Sequence, residues 1–498
     1  MAFRIGPGAR FLCAGLFWGA ASLLAADFPP SVPPPAAVHL TLPAVHVLPS
    51  GMQVAVIDRP GIPIINLRLV IRSGAEADPM GLSGTAQLVA SLLNQGTASH
   101  TAQEIAHAID RVGGTIDTGA DWDNSYVALS VMTDQTDLAF DLLSEMSMHP
   151  AFLAAEIERQ RKQALSALSV AKNDPAYVAD AVFDRLAFAG TPYGHPPDGV
   201  EESVRRITAA DIRTFYSRNY RPENSILIVI GDIRAQDAFR RASDYFSSWK
   251  NEGTSSSAGR VTGRIPEGGS SSATGSRQIV VIDKPDAVQT EIRIGNRGIP
   301  RSSSDYVALT VANQILGGPA TNRLYKALRT EHGLTYSASS EIDCYRTLGS
   351  WESKTFTRTS ETIKSLRLAL DEMKRLRGRS ISEGELETAQ SYLTGHLALD
   401  VESPEGIATQ VLNLMIYNLP LDYWNQFPEE LRTLRTEEVL DATRHYLDPD
   451  RNIIVLVGNA SAFTNDLKKL GDYRVIAIQN LDLGVANLER STDPSASR

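Results

Sequence analysis

The chain has 498 residues, 43% hydrophobic and 21% charged, with a formal charge of −10. The length accommodates two or more domains of about 100–200 residues, and the apolar content supports a buried core, which excludes global disorder. An acidic balance without Lys/Arg clusters excludes a nucleic-acid surface, because phosphate binding draws on such clusters.

At the start, Arg4 and Arg10 precede an apolar run, FLCAGLFWGAASLLAA, that ends at Ala25 and Ala26 before Asp27. This pattern predicts a signal peptide over 1–26 and an exported, periplasmic address, with no stable membrane span: the run is shorter than the ~20 residues a spanning helix needs. Cys13 falls inside this segment without the small apolar run expected before a lipidated cysteine, leaving Cys344 alone and no internal disulfide. FPPSVPPPAA then forms a Pro-rich leader over 27–41.

VHVLPSGMQVAVIDRP alternates and turns at Ser50-Gly51, a hairpin signal, and INLRLVIRSGAEADP supplies a half-buried strand. GTAQLVASLLNQGT (84–97) predicts a buried helix: Leu88, Val89, Leu92 and Leu93 make an apolar stripe, and Gly96 stands where a C-terminal cap belongs. Asp121-Trp122-Asp123 reads as a solvated hairpin turn rather than a cation site, since calcium wants six to eight oxygens. ERQRKQALSAL (158–168) is helical, and Asp174-Pro175 and Pro192-Tyr193-Gly194 read as turn and packing residues, with no catalytic role for His195. A Ser/Gly linker occupies 251–276 and a polar tail 485–498.

The two bodies flanking the linker, 42–250 and 277–484, are copies of each other. QVAVIDRP (Gln53 to Pro60) recurs as QIVVIDKP (Gln278 to Pro285), and Glu156, Pro175, Thr208 and Gly231 recur as Glu385, Pro404, Thr436 and Gly458 in unbroken order. ENSILIVIGDI and DRNIIVLVGNA are matching apolar strands ending at a glycine, each preceded by a helix starting at its threonine. The order of elements predicts an α+β fold of two homologous domains, each a mostly antiparallel sheet with helices packed on one face.

Residues 84–97 resemble the GLAHFLEHMLFKGT motif of the pitrilysin/insulinase family of zinc peptidases, in the branch that includes mitochondrial processing peptidase, and align with it without a gap. The family's inverted H-x-x-E-H signature sets two zinc-binding histidines at i and i+4, with the glutamate between them as base. This chain has Gln87, Ala90 and Ser91 there. The resemblance implies a third ligand, a glutamate about 75 residues on, where Ser166 and Ala167 stand. Glu158, nine residues before Ala167, lies about 13 Å along the helix from that place. Neither a carboxamide nor a serine hydroxyl replaces zinc's usual donors, so the chain is identified as a non-catalytic member with no metal of its own. No H-x-x-x-H or H-x-x-E-H spacing occurs anywhere among the nine histidines.

ILGGPATNRLYKALRTEHGLTYSASS (315–340) resembles the family's Gly-rich turn, S/N-R-L helix and R-x6-Y-S element. Here a helix is expected from near Ala320, with Arg329 at its end, Gly333 terminating it and Tyr336 opening the next strand. In the family, one half carries zinc and the other presents this Arg/Tyr pair across a closed, clamshell-like chamber. The resemblance therefore implies a homologous H-x-x-E-H partner holding zinc, with Arg329 and Tyr336 of this chain binding peptide substrate. Two other readings stand beside it: Arg329 as a helix-terminal charge and Tyr336 as a strand aromatic, and the whole chain as a non-enzymatic scaffold or peptide-binding protein of the same fold.

Overall fold

The structure, a computed structural model, describes residues 40–250, 276–319, 322–379 and 381–490. The signal segment with Cys13, nearly all of the leader, most of the linker, and the end of the tail lie outside the described residues.

Two six-stranded sheets carry the fold. The first is ordered β1 (Ala44–Val47), β2 (Gln53–Asp58), β6 (Ser225–Gly231), β3 (Ile64–Ile71), β5 (Ser125–Met132) and β4 (Thr115–Ala120). The second is ordered β12 (Tyr473–Ala477), β7 (Gln278–Asp283), β11 (Ile453–Gly458), β8 (Gln289–Gly298), β10 (Gly349–Arg358) and β9 (Ala338–Cys344). In each sheet the strands that carry the duplicated motifs, β2 with β6 and β7 with β11, pair in parallel, and antiparallel pairs complete the half toward β4 or β9.

The repeat breaks only at one edge. β1 closes the first sheet as an antiparallel hairpin arm, turning where predicted through Gly51 at φ +90°. The same edge of the second sheet is closed by the late strand β12, parallel to β7. The glycine that ends β6 and β11 is explained by close approach: a Cβ on Gly231 would lie 2.1 Å from the Ile64 carbonyl oxygen, and one on Gly458 2.5 Å from Thr290 Oγ1.

Each half packs its own helices on one face of its sheet, burying Leu67, Leu69, Leu88, Leu92 and Phe140 in the first core and Ile292, Leu309, Leu316 and Trp351 in the second. The opposite faces are covered reciprocally. Val178, Ala179, Val182 and Phe183 of the Pro175–Ala187 helix, from the first half, pack on Val280, Ile282, Val455 and Val457 of the second sheet. Ile407, Val411 and Met415 of the Pro404–Ile416 helix, from the second half, pack on Ile57, Val70, Ile228 and Ile230 of the first.

Both exchanged helices have 13 residues, a proline at the first position and a capping side chain before it: Asp174 accepts from Ala176 N at 2.9 Å and Ser403 from Gly406 N at 3.0 Å. Sheets covered on both faces explain why β6 and β11 read as unbroken apolar runs, and every residue of both is buried.

A second pin joins the halves. Arg346, in the β9–β10 turn, donates its backbone N–H to Asp123 Oδ2 at 2.7 Å and its guanidinium to the Asp123 carbonyl at 2.6 Å, and reaches Glu76 at 3.4 Å. Tyr193 donates to Asp123 Oδ1 at 2.6 Å and stacks on Tyr345 with ring centres 5.1 Å apart. The expected solvated turn at 121–123 is therefore corrected: Asp121 is exposed, but Asp123 is 1% exposed and Trp122 8%. Tyr193 is a packing residue as read, and His195 packs against Trp122 with its Nδ1 3.0 Å from the Pro196 carbonyl.

Candidate functional site

In the first half, the Thr85–Leu92 helix faces the Ala154–Ala171 helix across a cleft of about 350 Å³. Gln87 and Ser91 line it from one side, Gln160, Gln163 and Ala167 from the other. The positions expected for the three zinc ligands thus meet in one cleft. Ala90 does not join them, being fully buried in the core. The helix ends at Leu92 with Leu93 as its cap, so Gly96, at φ +112°, turns the following loop instead of capping the helix as expected.

The helix starts under tight control. Asp78 accepts from Gly84 N at 2.6 Å and from Ala86 N at 2.8 Å, and burial pushes its carboxyl up to about 8 against those bonds. Gln87 is committed elsewhere, its Oε1 accepting from Ala120 N at 2.8 Å on edge strand β4. Ser91 donates to the Leu88 carbonyl at 2.9 Å.

Zinc does not fit this cleft. A carboxamide already spent on the backbone, a hydroxyl turned to its own helix and a methyl at Ala167 offer no imidazole, thiolate or carboxylate set. Among the described residues no group of three His, Cys, Asp or Glu side chains has metal-holding geometry elsewhere. His100 is engaged with Glu145 at 2.7 Å, and Cys344 is a free thiol whose pKa burial raises to about 12.

In the second half, Asn322 caps a short helix, Arg323–Tyr325, by accepting from Tyr325 N at 2.7 Å, and the chain continues as a π-helical turn over Lys326–Glu331. The expected start near Ala320 lies outside the described residues. Gly333 ends the turn at φ +61°, with its N–H bonded to the Arg329 carbonyl at 2.9 Å. Tyr336 does not open the strand as expected; it precedes β9, which starts at Ala338, because Thr335 Oγ1 bonds Ser337 N and O and holds a turn there.

Arg329 and Tyr336 are brought together. The guanidinium carbon lies 4.2 Å from the Tyr336 ring centre, and Nη1 donates to the Tyr336 carbonyl. Tyr325, which sequence reasoning missed, lies on the guanidinium as well, at 5.2 Å. The signal was present as a Tyr four residues before the Arg. Tyr336 is 73% exposed, and its hydroxyl has no hydrogen-bond partner among the described residues. The stack thus leaves the Tyr336 ring largely exposed beside the guanidinium. It shares no residue with those lining the first-half cleft.

Comparison with known proteins places these features. Residues 53–196 match the model of the insulinase family, peptidase family M16, and residues 206–393 match the model of the M16 peptidase inactive domain. The chain belongs to the insulinase family. It is 26% identical over 356 residues to an uncharacterized zinc protease of Mycobacterium leprae, covering 71% of this chain and 78% of that one. It is 21% identical over 403 residues to a non-peptidase homolog of Helicobacter pylori, covering 80% and 90%.

Among solved structures, a peptidase M16 inactive domain from Pseudomonas fluorescens superposes with a TM-score of 0.76 at 26% identity, over 84% of this chain and 97% of that one. A Helicobacter pylori protease shares the fold, with a TM-score of 0.78 at 19% identity over 84% and 100%. This member of the insulinase family thus has the family's duplicated sheets and a first-half cleft without zinc-binding residues.

Proposed function

We propose that this chain is the zinc-less subunit of a two-protein metallopeptidase, exported to the periplasm, that lends Arg329 and Tyr336 to the active site of a homologous H-x-x-E-H subunit acting on peptides. The observation that carries this reading is an asymmetry between its halves. Gln87, Ser91 and Ala167 still meet in one cleft but hold no metal ligand, whereas Arg329 and Tyr336 are stacked, with the phenol outward.

Zinc would reside in the partner. There the guanidinium would hold a substrate carbonyl or carboxylate, and the phenol would hydrogen-bond the oxyanion as it develops. The domain limits 42–250 and 277–484, the signal 1–26 and the linker 251–276 belong to this proposal. No helix among the described residues is long and apolar enough to cross a membrane, which is compatible with it.

The alternative, a non-enzymatic scaffold or peptide-binding protein, draws on the bond that ties Gln87 to the β4 backbone and fills the old ligand position structurally. Copurification of the tagged chain, followed by zinc determination and peptidase assay of the complex, separates the two. Zinc-dependent hydrolysis by a heteromer supports the subunit, and a complex without hydrolysis supports the scaffold.

A further inference from the structure

The second half repeats the cleft of the first. Helix Tyr306–Gly317 and the Arg323–Tyr325 segment face helix Glu383–Asp400 across a space of about 590 Å³. The two clefts differ in charge. The first is lined by one charged side chain, Asp198. The second is lined by three: Arg323, Lys326 and Glu385.

Arg323 and Glu385 cancel. They form a two-pronged pair at 2.7 and 3.0 Å, and although partial burial works against it, the pair and the Ser382 cap hold the Glu385 carboxyl down at about 2. Lys326 is left over. It is exposed and, like Arg329 three residues on, has no carboxylate within 4.0 Å among the described residues.

Two uncompensated cations thus share one π-helical turn, a distortion that recurs at functional sites, in a chain whose net charge is −10. Tyr325 joins them, lining the cleft while lying on the Arg329 guanidinium, and Tyr392 adds a second aromatic wall.

We propose that this cleft binds a carboxylate of a polypeptide segment, with Lys326 as the cation that lines it, Arg329 adjoining it across the Tyr325 ring, and Tyr325 and Tyr392 as walls for the adjoining chain. This rests on Arg329 being a substrate contact and adds the class of peptide preferred, one carrying an acidic group.

The test uses the purified full chain and fluorescence anisotropy of a short labelled peptide containing Asp and Glu, its Asn/Gln analogue, and both with an amidated C-terminus. The acidic peptide is expected to bind at least about fivefold more tightly than its neutral analogue, the advantage falling as salt is raised. Loss of affinity on amidation alone would assign the carboxylate to the C-terminus, and loss on Asn/Gln replacement to side chains; either supports the site. Lys326→Gln and Arg329→Gln should each remove most of the preference, with Lys468→Gln as the surface control.

Equal binding of all four peptides, or a carboxylate preference that survives in the Lys326→Gln/Arg329→Gln double variant, overturns the proposal. Turnover by the reconstituted pair is read separately. If Arg329→Gln slows it with no acidic preference, only the carboxylate site fails; if the preference exists but turnover is unchanged, the shared active site fails.

Discussion

Asp184→Asn should stabilise the protein at high pH and leave it nearly unchanged at low pH. Asp184 lies on the exchanged Pro175–Ala187 helix, where burial pushes its carboxyl up to about 8, with Asp343, Asp180 and Glu341 adding to the rise and Lys354 opposing it. Burial and Glu341 raise Asp343 to about 6, and burial holds Glu352 well above the carboxylate range despite Lys354. The folded protein therefore binds more protons here than the unfolded chain. The resulting stability is full below about pH 4, the usual carboxylate range, and is lost as pH rises through 6 to 8.

A tenfold change in proton affinity corresponds to about 1.4 kcal/mol. Relaxation at the interface and shared titration with neighbouring carboxyls reduce the gain from a neutral Asn at pH 8.5 to roughly 1–3 kcal/mol. In differential scanning fluorimetry this is a rise in Tm of roughly 1–3 °C at pH 8.5 and close to none at pH 4. An equal shift at both pH values, or destabilisation at pH 8.5, would refute the argument that this interface holds its carboxyls protonated.

Two further outcomes follow from the same geometry. Phe183, fully buried, packs from the exchanged helix so closely on β8 that a Cβ on Gly295 would lie 2.6 Å from its ring; Phe183→Ala should cost about 3–5 kcal/mol in urea denaturation, and a loss below about 1 kcal/mol would mean the helix is not a keystone between the halves. The triple variant Gln87→His, Ser91→His and Ala167→Glu should retain stoichiometric zinc after dialysis, unlike the parent chain, yet hydrolyse nothing because Ala90 provides no base; metal analysis showing no zinc would mean that the three positions do not converge closely enough to bind it.

Local patterns made much of the fold legible. Alternation around Ser50-Gly51, the apolar runs of β6 and β11, and the threonines at 208 and 436 gave hairpin, strands and helix starts where the structure has them. The recurrence of motifs in unbroken order gave the duplication. What escaped were contacts between distant parts.

Val178, Val182 and Phe183 read as an ordinary apolar stripe, and nothing local says that the sheet they cover belongs to the other half. Asp123 looked solvated because its partner, Arg346, lies 223 residues away. β12 could not be matched to β1 because the equivalent edge is filled from opposite ends of the chain. The π-turn at Arg329 was invisible to a reading based on a 3.6-residue period, although it sets Tyr325 on the guanidinium.

The most direct test of the central claim is peptide hydrolysis by the purified chain and by its complex with an H-x-x-E-H subunit, each with and without chelator. The chain alone should hydrolyse nothing, while the complex should be active and chelator-sensitive. In the complex, Arg329→Ala or Tyr336→Phe should lower kcat/KM by roughly 10- to 100-fold. Chelator-sensitive hydrolysis by the chain alone, or unchanged turnover in both variants, would contradict it.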